Sequence, residues 1–188
     1  MLTVIVRDEP ATQGSKRAFA IRKGGVPTGQ VAVVDDNKAS LRGWREAVRQ
    51  ETAKAIEEHQ DASLFEVTYP LQGPVVLGVT FTVRKPKNAP KRKVTWPERQ
   101  PDLDKLLRAV CDALRAGGAY RDDAQVVEVA RLAKCYPNPD GDSVMPVMAR
   151  GANVMLAVTG TRLDVLSTPG AVIRVASIYE FPGVTEGA

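Results

Sequence analysis

Hydrophobic and polar positions alternate most cleanly from Val75 to Val83, where Val75, Leu77, Val79, Phe81 and Val83 are set against Val76, Gly78, Thr80 and Thr82. A two-residue period sustained this long predicts a β-strand. Leu2 to Val6, Val126 to Ala133 and Ala171 to Ile178 read as three further strands. Ala18 to Arg22 and Gln30 to Val34 are expected to pair as short strands around a turn running from Gly24-Gly25 to Gly29. The period changes at Leu41, Trp44, Val48, Ala55 and Ile56, which fall at helical spacing with Arg42, Arg45, Glu46, Arg49 and Lys54 between them. Ser40 reads as the N-cap of that helix, which buries one stripe and exposes a charged face. Leu103, Leu106, Leu107, Val110, Cys111 and Leu114 form a second apolar stripe, and Gly117-Gly118 ends that helix where a terminal glycine belongs.

Strands and helices mix without regular βαβ alternation, which predicts an α+β fold: a mixed β-sheet with two main amphipathic helices. The chain of 188 residues is expected to be a single domain. Pro137 to Pro169, with a turn at Asn138-Pro139-Asp140-Gly141, reads as an inserted hairpin or lid, and 181–188 as a frayed tail. No internal repeat breaks the pattern.

Composition narrows the chemistry. No apolar run approaches the roughly 18 residues of a membrane span, and the amino end lacks the features of a signal peptide. Two cysteines without a CxxC pair fit a reducing cytoplasm. The one histidine, His59, sits among Glu57, Glu58 and Gln60, so a zinc site or a Ser-His-Asp triad has little to rest on. Nucleotide-binding glycine loops are absent. An enzyme made of these residues would use carboxylates and a hard metal ion.

The net charge of +4 conceals a local concentration: Arg84, Lys85, Lys87, Lys91, Arg92, Lys93 and Arg99 face Glu98 alone. Pro86, Pro90 and Pro97 exclude helix or central strand there, leaving a long basic loop with Trp96 near its end. Such a loop is either a solvated surface or a contact for the phosphate backbone of nucleic acid, where clustered cations gain affinity by releasing counterions. Lys16, Arg17, Arg22 and Lys23 make a smaller second cluster.

Asp102 and Asp104 stand at the entrance of the second helix, and Asp122-Asp123 follow its end. One Asp at a helix start is ordinarily a cap, and an Asp pair in a turn is ordinarily a turn former. Two carboxylates exceed what one cap needs, and an extended Asp102 would let both turn to one side. The helix is about 20 Å long, so Asp123 nears Asp102 and Asp104 only if the turn tucks back or if two subunits bring their carboxylates together. Aspartates without His or Cys suit Mg²⁺ or Mn²⁺, which can activate water against a phosphodiester. Asp112 reads as structural, facing out from the helix end.

Pro101-Asp102-Leu103-Asp104-Lys105-Leu106-Leu107-Arg108, with Asp112-Ala113-Leu114 and Tyr120-Arg121-Asp122-Asp123-Ala124-Gln125-Val126, resembles the signature of the RusA-type Holliday junction resolvases, a family often carried by phages. The order of strand, basic loop, D-L-D helix and D-D turn agrees, as does Gln13-Gly14-Ser15-Lys16-Arg17 near the start. The resemblance implies a small α+β homodimer of the bacterial cytoplasm that binds four-way DNA in recombination and repair and cuts paired strands by Mg²⁺-dependent hydrolysis, with Mn²⁺ as a substitute. It also implies that Asp102, Asp104 and Asp123 are catalytic metal-site residues, with Asp122 as an adjacent ligand. Arg108 falls where the family often has Lys, which keeps the charge but not the proton chemistry. Lys16, Arg17, Lys85, Lys87, Lys91, Arg92 and Lys93 are the expected DNA contacts. A non-catalytic DNA-binding protein and a metal-dependent nuclease acting on flaps or RNA are the alternative readings.

Overall fold

Four of the strands expected from the sequence assemble into one sheet. They are β1 (Leu2–Val6), β4 (Val75–Thr82), β5 (Val126–Cys135) and β6 (Gly170–Ser177), in the order β1-β6-β4-β5. The computed structural model describes residues 1–14, 16–35, 37–63, 67–90, 94–145 and 162–180, with 16, 17, 19 and 33–35 described by backbone alone. The tail at 181–188, the centre of the predicted insertion at 146–161, and Lys91, Arg92 and Lys93 lie outside the described residues. β6 runs antiparallel to both neighbours, whereas β4 and β5 are parallel. That parallel pair demands a crossover, and the basic loop followed by helix α2 (Leu103–Ala116) supplies it. The fold is α+β with a mixed sheet and two helices.

Helix α1 (Lys38–Ala62) and α2 share one face of the sheet. Leu2, Val4 and Val6 of β1, Val75, Leu77, Val79 and Phe81 of β4, and Ile173 and Val175 of β6 form the sheet side of this core. Trp44 and Val48 from α1 and Leu106, Val110 and Leu114 from α2 cover them. The two helices meet closely at Gly117, where an added Cβ would stand 2.7 Å from Cβ of Thr52 and 2.9 Å from the carbonyl of Arg49. Gly170 is tighter still, because a Cβ there would stand 2.1 Å from the Val6 carbonyl.

The opposite face carries a polar core. Arg174 of β6 donates to both oxygens of Asp164 at 2.8 Å, to Thr3 Oγ1 at 3.1 Å and to the Met145 carbonyl at 2.6 Å. The two charged side chains are only 2% and 5% exposed, so the pair stands where an unpaired charge would be costly. Leu166 N donates to Thr82 Oγ1 at 3.0 Å, and Arg131 Nε to Thr80 Oγ1 at 2.9 Å. Ser143 bridges Val165, and Asp142 holds Arg7 and the Ser167 amide. The described ends of the predicted insertion therefore lie against this second face.

Two local expectations need correction. α1 starts at Lys38 with Asn37 in the cap position, which places Ser40 inside the helix. The Asn37 side chain donates to Thr12 Oγ1 and to its carbonyl instead of capping, so the usual cap signal is absent. The first hairpin is longer than predicted: β2 (Lys16–Lys23) pairs with β3 (Val26–Asp35) around Gly24-Gly25, and Gly29 falls within β3. It forms its own two-stranded sheet, with Ile21, Val26 and Val31 exposed.

Candidate active site

The site is built along α2. Asp102 caps the helix in extended conformation (φ −72°, ψ 135°), and its side chain makes no cap hydrogen bond. It pairs instead with Lys105 at 2.8 Å, which lowers its pKa below the ordinary carboxylate range. Lys134 of β5 donates to the carbonyls of Arg99 at 2.7 Å and Pro101 at 2.9 Å, fixing the path of the chain into the helix. Asp104 lies exposed in the first turn.

Asp104, Arg108 and Asp112 follow at intervals of four, one stripe of the helix with alternating charge. Arg108 is exposed, and among the described residues no ion pair joins it to Asp104. Its guanidinium lies beside Gly14, 3.9 Å from where a Cβ would stand. The turn at Gln13-Gly14 crosses the middle of α2: Gln13 N donates to the Lys105 carbonyl at 3.1 Å, and Gln13 Nε2 to Asp112 Oδ2 at 2.7 Å.

Beyond the helix the chain turns sharply. Asp122 Oδ1 accepts from Ala124 N at 2.8 Å, while Gln125 Oε1 accepts from the amides of Asp122 at 3.0 Å and Arg121 at 2.8 Å. This reciprocal capping box gives the Asp122-Asp123-Ala124-Gln125 spacing a local cause. Gln125 Nε2 also donates to the carbonyls of Leu71 and Gly73, anchoring the turn. Tyr120 OH donates to the Cys111 carbonyl at 3.0 Å, folding the turn back onto α2. Burial holds the Tyr120 hydroxyl above its usual range and pushes the Cys111 thiol up to about 11, so neither ionises near neutrality.

The turn does tuck back, and it brings Asp123 against Asp112. Partial burial and the hydrogen bond with the neighbouring Asp112 carboxyl raise the Asp123 pKa. Asp112 also faces Arg45 of α1 at 3.6 Å and is 20% exposed. The expectation that Asp112 faces outward is therefore corrected: it is half-buried between Gln13, Arg45 and Asp123. From Asp104 to Asp112 is about 12 Å of helix rise, which separates the entrance carboxylates from this pair. Among the described residues no three His, Cys, Asp or Glu side chains gather closely enough to hold one metal ion.

Of the expected DNA contacts, Lys91, Arg92 and Lys93 lie outside the described residues. Lys85 lies 6.0 Å from the centroid of the Tyr136 ring, Lys87 is exposed, and Trp96 and Val94 are exposed at the loop's end. Lys16 and Arg17 lie in β2, at the base of the hairpin. Sequence reading missed a basic groove between the helices, where Lys38, Arg42, Arg45 and Arg49 stand over Leu41 and Ala113. Its signal was their helical spacing, which an ordinary solvated face shares. Glu46 occupies the same groove and pairs with Arg49 at 2.7 Å, which lowers Glu46 to about 2.

No curated protein matches the chain significantly. The family model described as Endodeoxyribonuclease RusA matches residues 22–139, spanning α1, the basic loop, the α2 aspartates and the capped turn. With most of its length matched and the α2 stripe and capped turn in place, the chain belongs to the RusA-type endodeoxyribonucleases, the Holliday junction resolvases.

Proposed function

We propose that this protein resolves four-way DNA junctions in recombination and repair by metal-dependent phosphodiester hydrolysis, as a homodimer making paired cuts. The observation that carries the reading is the α2 stripe itself, which sets carboxylates at both ends and a cation, Arg108, between them. We read the chain as one nuclease domain with an inserted lid, acting in a reducing cytoplasm and encoded by a phage or its host. The free Cys111 and Cys135 are compatible with that compartment, and no helix of the described residues is long and apolar enough to cross a membrane.

The donor chemistry fits a hard cation. All candidate ligands are oxygens, and Asp123 Oδ1 is buried without a hydrogen-bond partner. Asp104 stands about 12 Å along α2 from the end that Asp123 meets, so Asp102, Asp104 and Asp123 would hold Mg²⁺ or Mn²⁺ together only across two subunits, with Asp122 adjacent through its oxygen not used by the cap. Such an ion, when bound, would lower the pKa of a water and offset charge on the scissile phosphate. Arg108, exposed midway along the stripe, stabilises negative charge on the phosphate but does not transfer a proton near neutral pH. The basic loop and the groove of Lys38, Arg42 and Arg45 hold the backbone on either side. Two sites related by a two-fold axis match the symmetry of a four-way junction.

Replacing Asp104 with Asn removes a ligand charge at nearly constant shape. Asp104→Asn should abolish cleavage in Mg²⁺ while junction binding in a gel-shift assay persists. Loss of binding and folding together with cleavage would remove the catalytic assignment.

A further inference from the structure

We infer that the β2–β3 ribbon is a DNA-binding arm: it leaves the body of the protein beside Arg108 and lays its Arg22-Lys23 tip on a duplex arm of the junction, away from the bond that is cut. This rests on the junction-binding reading above and names the part of the substrate that the ribbon takes. The ribbon is a sheet of its own. Every residue from Ala20 to Val31 is exposed, so neither face of its outer part packs against the protein. A Cβ added at Gly24, Gly25 or Gly29 would stand in open space. Two strands alone are marginally stable in water, and here Ile21, Val26 and Val31 remain exposed on them. A ribbon of this kind is completed by a partner.

Charge selects the partner. Lys16, Arg17, Arg22 and Lys23 all belong to β2, and no Asp or Glu stands between Lys16 and Val34. The same ribbon of a second copy would repel it, whereas a phosphate backbone releases counterions to it. The shape agrees, because the major groove of a DNA duplex, about 12 Å wide, admits a two-stranded ribbon. The root of the ribbon is fixed. Asn37 Nδ2 donates to the Thr12 carbonyl at 3.2 Å, which joins the segments that enter and leave it. Gln13 N donates to the Lys105 carbonyl at 3.1 Å, and Gly14 lies beside the Arg108 guanidinium, so the root is held against α2. β2 has eight residues, which sets Lys23 roughly 24 Å from that root. This is the length of about seven base pairs.

The test is hydroxyl-radical footprinting of the full chain on an end-labelled four-way junction without divalent metal, with the cut phosphate mapped separately in Mg²⁺. The unaltered chain should protect a stretch of backbone about seven base pairs from the cut, in addition to the backbone around it. Arg22→Ala combined with Lys23→Ala should lose the outlying stretch and keep the other. The same double variant should bind several-fold more weakly, with a salt slope lower by about 1.8. Both side chains are exposed, and thermal melts verify that the variant folds. Lys54→Ala removes an exposed cation far along α1 and should leave the footprint unchanged. An identical footprint and salt slope in the folded double variant would overturn the inference and leave the junction-binding reading intact. Dissociation of a dimer by Val31→Ser, with DNA binding unchanged, would also overturn it and assign the ribbon to a second copy. Failure of the unaltered chain to bind the junction would remove both.

Discussion

The two ends of α2 carry the same side chain in opposite circumstances. At the entrance, Asp102 and Asp104 are solvated and Asp102 has a lysine partner, so its charged form is favoured. Two turns further on, Asp112 and Asp123 press together under partial burial, and the charged form of Asp123 is disfavoured. The entrance costs the fold little and holds its carboxylates loosely. The far end is preorganised and electrostatically strained, as expected where structure is maintained for chemistry and not for stability. Aspartates at the two ends of one helix, Asp102 and Asp123, thus acquire different properties from what the tertiary fold sets beside them.

Neutralising the strained end should have the largest effect, with opposite signs in two assays. Asp123→Asn should lower junction cleavage by about 10²- to 10³-fold, comparable to removing a transition-state charge stabiliser. The same change should raise the melting temperature of the metal-free protein by about 2–4 °C, since it removes like-charge repulsion. The pH dependence follows from the direction of each shift. Asp123 is raised in the fold, so metal-free stability should fall as pH rises through and above the ordinary carboxylate range. Asp102 is lowered, so its small contribution is present above that range and disappears as pH falls through it. A pH series of thermal melts on wild type and Asp123→Asn checks both signs; the variant's curve should be flatter above a pH of about 4.

Next in size is the packing that brings α1, and with it Arg45, to the strained end. Gly117→Ala sets a methyl 2.7 Å from Cβ of Thr52, which itself is fully buried. Overpacking of this kind costs about 1–3 kcal/mol and should lower the melting temperature by several degrees. Denaturant unfolding measures it, and an unchanged midpoint would show that the helices are not firmly packed. Smaller still are the effects at the proposed DNA-binding surface. Neutralising Lys91, Arg92 and Lys93, or Lys38 and Arg42, should weaken junction binding and reduce the salt slope by about 0.9 for each phosphate no longer neutralised. An unchanged slope returns either cluster to a solvated surface. Asp102→Asn should move the melting temperature least, by no more than about 2 °C, because an exposed ion pair contributes little.

Much of this was legible in the chain. The apolar run marked β4 as a strand, although all eight of its residues are buried and no exposed face follows the alternation, whereas the 3.6-residue stripe with terminal glycines located α2 and the face it buries. The extended Asp102 followed from ordinary helix-start chemistry. Asp112 was not legible, since its partners Gln13, Arg45 and Asp123 come from three other parts of the chain and only tertiary packing unites them. The same applies to Arg174: a charged residue inside a strand pattern gives no hint that Asp164 will meet it under a covering segment. The start of α1 was misplaced because Asn37 and Ser40 are both residues that favour the N-cap, and only the fold shows which of them stands at the boundary.

Whether the α2 carboxylates cut branched DNA is decided by incubating the full chain with an end-labelled four-way junction and a matched linear duplex, in Mg²⁺ or in EDTA. Paired nicks in the junction alone, present in Mg²⁺ and absent in EDTA, are the expected outcome. Junction binding without nicks, or nicks unaffected by EDTA, would refute the assignment of these carboxylates to metal-dependent cleavage.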